Sequence, residues 1–310
     1  NGPLDMWDVA QVEILRGPQS TLQGRNALAG AVVIRTQEPT WEWAARGRVL
    51  LSDAGDRSVA VAGGGPIVAD QLAFRIAVED RKSDGFIYNT TRKEDESARE
   101  ATTVRSSLLF APAATPGFTA RATWTHDERN GAYAYTYART DVPDASENRI
   151  ATGDHPNRSD GTTDILTFAA DYELSDRLTL ASVTAWSRLD LSTSFDADGG
   201  PVSSEFADQE ETDKTFSQEL RLQYQGERLE GLVGAYYANR QVDVALTSRR
   251  VVPTPTSTLV GVLMSPPFSL NAATATMAAG LYATALPVVP VNFNGVSNEQ
   301  IETMAIFADG

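Results

Sequence analysis

The residues best suited to bind a metal ion are few and poorly spaced. His126 and His155 are the only histidines, and no third ligand stands at a regular distance from them. Carboxylates that could bind a hard cation through oxygen are denser near position 200: Asp196, Asp198, Glu205, Asp208, Glu210, Glu211 and Asp213. Their spacing matches no calcium-binding loop, so we interpret residues 192–214 as a solvated acidic loop and predict no metal site and no cofactor.

The sequence also lacks the constellations that catalysis requires. The chain has no cysteine, which excludes disulfides, thiolate zinc sites and cysteine nucleophiles. The glycines at 24–30 are followed by Ala31 and Val32 rather than the Lys-Ser/Thr of a phosphate loop, and the glycines at 63–65 precede Pro66 rather than a helix. No serine stands in a nucleophile elbow. We therefore predict that the protein is not an enzyme.

The charge balance excludes one class of partner. The formal net charge is -15 and the sequence pI is about 4.6. Nucleic-acid binding is driven by the release of counterions from phosphates that basic side chains neutralise, and an acidic chain opposes that process. We expect no nucleic acid among the partners.

The elements that must position any functional side chain are β-strands. After Pro39 large apolar residues recur at every second position, which is the period of a strand and not of a helix. The clearest stretches are residues 72–79, 104–110, 118–124, 166–172 and 216–224. With the residues that flank each stretch, the predicted strands run for roughly 9 to 11 residues, the length that a tilted strand needs to cross a bilayer, whereas soluble strands usually have about 5 or 6.

The connections between these strands alternate in length. Short turns at 67–71, 111–117, 175–177 and 225–228 are interleaved with long polar loops at 81–99, 128–163 and 192–214. Short turns on one side and long loops on the other are typical of an outer-membrane barrel. A soluble, secreted β-sandwich binding module would explain the alternation but not this asymmetry, and a passive porin would explain both.

Three segments depart from the simple pattern. The alternation slips near Ser182 and Val183, where a β-bulge would explain it, and residues 229–240 fit either register. Residues 251–298 contain no Asp, Glu, Lys or Arg. We interpret this segment as one long external loop with room for a short helix. Residues 269–286 are not read as a membrane-spanning helix, because Asn271, three threonines and flanking prolines dilute their apolarity.

A compact segment near the N-terminus carries a specific resemblance. Residues 12–36 read VEILRGPQSTLQGRNALAGAVVIRT, two apolar stretches that flank a Gly-rich loop. This segment closely resembles the end of the plug domain of TonB-dependent receptors. The residues that fill the family pattern are Glu13, Arg16, Gly17, Pro18, Gly24, Asn26 and Gly30. Gln23 stands where an aromatic residue is more usual, and a weaker resemblance continues at 84–89 and 217–222.

The resemblance implies a fold and a division of the chain. The fold class is all-β: a transmembrane antiparallel β-barrel, here about half of a barrel of roughly 22 strands, preceded by the C-terminal part of a plug domain. Residues 1–39 would be plug and residues 40–310 the N-terminal half of the barrel. Because residues 1–10 show no secretory signal and the chain stops in or just after an alternating segment, we expect both ends to be truncations.

The resemblance also implies a function. TonB-dependent receptors actively take up a scarce, bulky solute across the outer membrane of Gram-negative bacteria, most often a ferric siderophore, with cobalamin, haem or carbohydrate as alternatives. The implied partners are the inner-membrane TonB complex, which supplies energy to the plug, outer-membrane lipid and the small-molecule ligand. The external loops at 81–99, 128–163, 192–214 and 241–298 would form the first binding surface, but the sequence assigns no ligand-contacting residue.

Two smaller predictions concern particular side chains. Plug arginines in the family pair with barrel glutamates, and Glu219 lies on the strand face expected to point into the barrel, so we hypothesise a plug-to-barrel pair between Arg16 and Glu219. The alternative is that Glu219 faces lumen water or pairs with neighbours of Arg221. The aromatic residues Trp124, Tyr133, Tyr135 and Tyr137 are interpreted as an interfacial girdle or loop packing, with a ligand-contacting patch as the alternative.

Overall fold

A computed structural model describes residues 7–16, 30–133, 136 and 138–310. The described residues form one large antiparallel sheet of ten strands and two small sheets. The strands of the large sheet are β3 (Ala44–Leu51), β4 (Arg57–Val68), β5 (Leu72–Ser83), β8 (Arg99–Phe110), β9 (Phe118–Gly131), β11 (Arg158–Ser175), β12 (Leu178–Asp196), β13 (Glu205–Gln225), β14 (Glu230–Pro253) and β15 (Val288–Asp309). Each strand pairs with the one before it in this order.

The two small sheets come from separate parts of the chain. The first pairs β1 (Val9–Arg16) with β2 (Gly30–Thr36), antiparallel, and belongs to the segment that resembles a plug. The second joins the two-residue strands β6 (Tyr88–Asn89), β7 (Glu94–Asp95) and β10 (Ile150–Ala151), which connect two external loops.

The sheet has two chemically different faces, as the alternation predicts. On β4 and β5 the face shared by Ala60, Ala73 and Glu79 is buried, with exposures of 1%, 0% and 3%. The opposite face carries large apolar residues such as Val61 and Ile76, whose exposures are 56% and 45%. The buried face is the inner one, because the N-terminal segment rests against it.

The strands are longer than predicted. β11 to β15 have 18 to 24 residues, so much of what we interpreted as loop at 192–214 and 241–298 is strand. The acidic residues Asp208, Glu210 and Asp213 therefore lie on β13 and not in a solvated loop. The prediction was wrong there because residues 208–215 of β13 are polar on both faces, and alternation then gives no signal.

The bulge predicted near Ser182 is also wrong. β12 pairs in continuous register with β13 from Leu178 to Asp196 and with β11 from Thr179 to Ser194, and the nearest irregularity falls between Glu173 and Ser175 of β11, opposite Leu178. The alternation slips because Ser182 and Thr184 occupy the outer face and are satisfied there by the side chain of Gln218, at 3.0 and 2.5 Å.

The register of residues 229–240, which the sequence left open, is fixed by pairing with β13. Val233 faces Leu222, Ala235 faces Leu220 and Tyr237 faces Gln218. Because Leu220 and Leu222 point outward, the odd-numbered residues of this part of β14 point outward too.

Residues 254–287 form a helical hairpin rather than an irregular loop. It consists of α1 (Thr256–Met264) and α2 (Ala272–Ala285), and α2 begins with Asn271, whose side chain accepts a hydrogen bond from the Thr274 amide at 2.9 Å. Among the described residues, neither helix has the length and apolarity needed to cross a bilayer.

Candidate functional site

The sequence-predicted plug residues are only partly within the described structure. Glu13 lies on β1 and forms an ion pair with Arg35 of β2 at 3.4 Å, and Arg16 pairs in register with Gly30 at the end of the same small sheet. Gly17, Pro18, Gly24 and Asn26 lie outside the described residues, as do Tyr135 and Tyr137.

The hypothesis that Arg16 pairs with Glu219 stays a prediction. Glu219 forms an ion pair with Arg221 on the same strand, which is close to the alternative that we considered. The described residues do contain an ion pair between the N-terminal segment and the large sheet, but it involves different residues and the opposite polarity: a carboxylate of the N-terminal segment pairs with arginines of the sheet.

That carboxylate is Asp8, which is 2% exposed. Arg75 of β5 donates to both of its oxygens, from Nε at 2.8 Å and from Nη2 at 2.5 Å. Arg46 of β3 donates from Nε at 3.0 Å and from Nη2 at 2.6 Å. Two guanidiniums thus bind one buried carboxylate. Arg75 does so in the bidentate geometry that makes arginine pairs strong, whereas both bonds from Arg46 go to Oδ1.

The electrostatics of Asp8 follow from this geometry. Burial alone would raise its pKa, but the hydrogen bonds and charge of Arg75, with a smaller contribution from Arg46, outweigh burial and hold the pKa of Asp8 below its ordinary value. The carboxylate is therefore ionised at neutral pH.

Trp7 extends the contact to more strands. Its indole Nε1 donates to the Val61 carbonyl of β4 at 3.3 Å, and the guanidiniums of Arg46 and Arg48 lie 4.9 and 5.1 Å from its ring centre. Arg105 of β8 donates to the Trp7 carbonyl at 3.5 Å.

A second polar group lies beside this contact on the inner wall. Glu79 of β5 is 3% exposed and accepts hydrogen bonds from Arg48 Nη2 at 2.5 Å and from Ser58 Oγ at 2.6 Å. Further along the wall, Glu38 and Arg121 form an ion pair at 3.3 Å. The described N-terminal segment is thus tied to the wall by charges at several strands, and sequence reasoning missed Asp8 because no spacing marks its partners.

The outer face has the features of a lipid-facing surface. Most outward side chains over the same length of each strand are apolar, with a few polar ones such as Ser182, Thr184 and Gln218, and aromatic residues stand at both ends. The lower row contains Phe74, Phe110, Phe118, Tyr172 and Tyr224, and the upper row contains Trp124, Trp186, Phe216 and Tyr237. From Tyr172 to Asp164, the first charged outward residue, β11 rises about 26 Å, or about 20 Å along the membrane normal for a tilted strand.

The external loops are joined by a buried polar network. Asn89, fully buried, donates to Glu96 at 2.7 Å and to the Gly153 carbonyl at 2.9 Å. Asn157 donates to Glu96 at 3.2 Å and accepts from the Asp196 amide at 3.0 Å. This network holds residues 84–98, 138–157 and 197–204 together, and we call these three segments the loop platform.

The two histidines are both paired with aspartates. His126 Nδ1 lies 3.0 Å from Asp164 on the outer face, and His155 Nε2 lies 2.8 Å from Asp208. The structure does not bring the histidines into one site.

The remaining candidates for metal or ligand contact are few. Ligand-type oxygens of Asp154, Asp196 and Asp198 lie within 4.8 Å of one another, but both oxygens of Asp196 already accept backbone amides. Tyr133 packs against Phe195, with ring centres 5.7 Å apart.

Comparisons with known proteins agree on the fold. No protein-family model matches the chain. The ferric yersiniabactin uptake receptor FyuA from Yersinia pestis is 18% identical, with a TM-score of 0.64 over 97% of this chain and 49% of that one. The siderophore receptor PiuA from Acinetobacter baumannii is 12% identical, with a TM-score of 0.66 over 98% of this chain and 45% of that one.

A third solved structure is the ferripyoverdine receptor of the outer membrane of Pseudomonas aeruginosa. It is 12% identical, with a TM-score of 0.57 over 79% of this chain and 33% of that one. The chain spans about half the length of the first two structures. At these identities the comparisons show the fold, and they confirm the predicted fold class: an all-β chain that forms part of an antiparallel receptor barrel.

Proposed function

We propose that this chain is part of a TonB-dependent outer-membrane receptor that actively imports a scarce, bulky solute, and that the cargo is a ferric siderophore. The observation that carries the proposal is the two-faced sheet: an apolar outer face bounded by aromatic rows, and a polar inner face against which an N-terminal segment is bound by buried charges. A porin shares the outer face, and a soluble β-sandwich shares neither feature.

The proposal assigns each part of the chain a role. Residues 1–39 are the end of the plug, and residues 40–310 are the first half of the barrel wall. The apolar band lies in outer-membrane lipid, where every backbone group must be paired within the protein, and an antiparallel barrel achieves that. The loop platform and the helical hairpin form the external surface that first meets the ligand.

The proposed cargo rests on similarity of fold. Proteins of this architecture in the comparisons include uptake receptors for ferric yersiniabactin and ferripyoverdine. Fold alone does not choose a ligand, so the experiment must compare several. Energy for import would come from the TonB complex acting on the plug, and the protein would not be an enzyme.

The test is uptake by the whole receptor in a host that lacks its own receptors. Labelled ferric siderophores, cobalamin, haem and oligosaccharides are supplied to cells with and without a working TonB system. TonB-dependent uptake of a ferric siderophore is the expected result, and TonB-dependent uptake of another solute would correct the cargo only. Uptake that is equal with and without a working TonB system would indicate a porin. A protein that purifies without detergent would overturn the membrane assignment.

A further inference from the structure

Trp7 and Asp8 are consecutive residues that together contact four adjacent strands of the large sheet. Asp8 binds arginines of β3 and β5, and Trp7 contacts β4 and β8. The Asp8 carbonyl also accepts a hydrogen bond from the Gln37 amide at 2.9 Å, just after β2. We call Trp7 and Asp8 with these partners the wall anchor.

We propose that the wall anchor is the fixed point of the plug: it keeps the β1–β2 sheet on the barrel wall when the chain before Trp7 is pulled. This inference rests on the proposed function, in which the plug receives the energy for import. It predicts that a pull from the N-terminal side is borne by Asp8 and its two arginines before it reaches β1.

The physical case begins with burial. Removing one partner of a buried, hydrogen-bonded ion pair leaves the other charge desolvated, and such half-removal is far more costly than loss of a surface pair. Arg75 is almost as buried as Asp8, with side-chain exposures of 9% and 1%. Neutralising Asp8 while the segment stays in place would therefore leave the Arg75 charge uncompensated on a wall of small, buried alanines.

The backbone at Asp8 supports the same conclusion. Its φ is +57°, in the left-handed region that L residues seldom occupy. Aspartate tolerates this region better than most residues, but the conformation persists only where surrounding contacts hold it. The side-chain pairs and the Gln37 hydrogen bond supply those contacts. The turn that leads into β1 and the attachment of that turn to the wall therefore depend on the same interactions.

A buried position on the wall can report whether the anchor holds. Ala60 is 1% exposed on the inner face of β4, between its cross-strand neighbours Arg48 and Glu79. In the whole receptor, an Ala60→Cys thiol should react with a small maleimide only when the N-terminal segment lifts off. Ala238→Cys, 5% exposed on the inner face of β14, is the matched thiol away from the anchor.

The first arm uses purified receptor in detergent, without ligand or energy. Asp8→Asn keeps the shape and the tolerance for left-handed backbone but removes the charge, and we expect it to raise labelling at position 60 by about tenfold or more while position 238 is unchanged. Asp70→Asn is the control substitution, since Asp70 also has a left-handed φ, +56°, but is exposed in a turn. Equal labelling in the two variants would overturn the proposal.

Two further measurements keep the test decisive. If Asp8→Asn does not fold, Arg46→Gln removes one of the two guanidiniums, and a smaller rise in labelling at position 60 is expected. Combined with Arg75→Gln, Asp8→Asn should add little to the effect of Arg75→Gln alone, because both remove the same pair. If the effects of the two substitutions on labelling simply add, the proposal is contradicted.

The second arm measures labelling in cells during TonB-dependent uptake. The receptor with only the Ala60→Cys change should label equally slowly with and without transported ligand, and adding Asp8→Asn should make labelling faster during uptake. If position 60 is labelled rapidly during uptake although Asp8 is unchanged, the wall anchor detaches during transport, which would refute the proposal. The first arm needs no transport, so failure of the proposed function and failure of the anchor are separable.

Discussion

The external connections of the barrel are of two kinds that hold their shape by different means. The loop platform is rich in charged residues and is fixed by buried side chains such as Asn89, Asn157 and Asp196. The helical hairpin at 254–287 carries no charged residue, its helices pack on each other, and only Ala275 and Ala279 are buried in α2. The platform is therefore made rigid by contacts between loops, and the hairpin by contacts within itself.

The two regions differ in how far apart in the sequence the residues that stabilise them lie. Asn89 and Gly153 are 64 positions apart but share a hydrogen bond, so the platform forms only when the strands have brought its loops together. The hairpin is closed at its base, where the Thr254 amide donates to the Pro287 carbonyl at 2.9 Å. It can form from local sequence alone, and changes in one region should leave the other intact.

The largest effect is expected for Asn89→Ala. The Asn89 side chain makes four hydrogen bonds in a fully buried position, including acceptance of the Thr91 and Arg92 amides at 2.9 and 2.8 Å. Its loss leaves several buried polar groups without hydrogen-bond partners and should cost about 3 kcal/mol of local stability. Hydrogen exchange should then show faster opening of residues 84–98 and 138–157, with residues 254–287 unaffected.

The matched control is Asn148→Ala, an exposed asparagine of the same platform. It should leave exchange unchanged. If Asn89→Ala loosens the helical hairpin as much as the platform, the two regions are not independent and the comparison fails.

A smaller effect, about 2 kcal/mol, is expected for Gly153→Ala. An added Cβ would lie 2.3 Å from Oδ2 of Asp196, whose carboxylate is fully buried and cannot move aside freely. Overpacking of this kind forces local shifts. Limited proteolysis of the platform loops should become faster, and an unchanged cleavage rate would show that Asp196 has room to rearrange.

The pH dependence of residues 197–204 is expected to be smaller and local. Burial alone would raise the pKa of Asp198, but hydrogen bonds from Ser204 and from the Gly200 and Glu205 amides outweigh it and hold the pKa below its ordinary value. A depressed native pKa means that the stabilisation is complete above the unfolded value of about 3.9 and is lost as pH falls through the native value.

The measurement is amide exchange of this loop between pH 7 and pH 3. Protection corrected for intrinsic exchange should be constant down to about pH 4 and then fall. Asp198→Asn should give lower protection that no longer varies with pH. A loss of protection that begins near pH 6 would show that a group other than Asp198 is responsible.

The fold followed from the sequence where one face of a strand is apolar and the other polar. Alternation located β5, β8, β9, β11 and β13, and the short turns gave their order. It failed beyond the apolar band at residues 208–215, where β13 is polar on both faces, and at Ser182, where cross-strand hydrogen bonds satisfy outward polar groups. Alternation reports burial in an apolar medium, so it reports nothing where that medium ends.

The candidate site was less accessible to prediction. The plug-like motif identified the segment that includes Glu13 and Arg16, but the anchoring carboxylate stands before the motif. Asp8 is separated from Arg46 by 38 positions and from Arg75 by 67. Only the pairing of β3, β4 and β5 brings these arginines together, and a single sequence shows no covariation that would reveal it.

The smallest effect is expected for Gly280→Ala in α2, and it has the opposite sign. A Cβ at Gly280 would meet nothing within 4 Å, so the substitution should only reduce the freedom of the unfolded helix and add about 0.5 to 1 kcal/mol of local stability. Amide protection across α2 should rise roughly two- to fivefold. Gly261→Ala in α1 is the matched change, because its Cβ would also enter open space. A fall in protection with either variant would mean that these helix surfaces are covered in the intact receptor, and the hairpin would then belong with the loop platform as a region fixed by distant contacts.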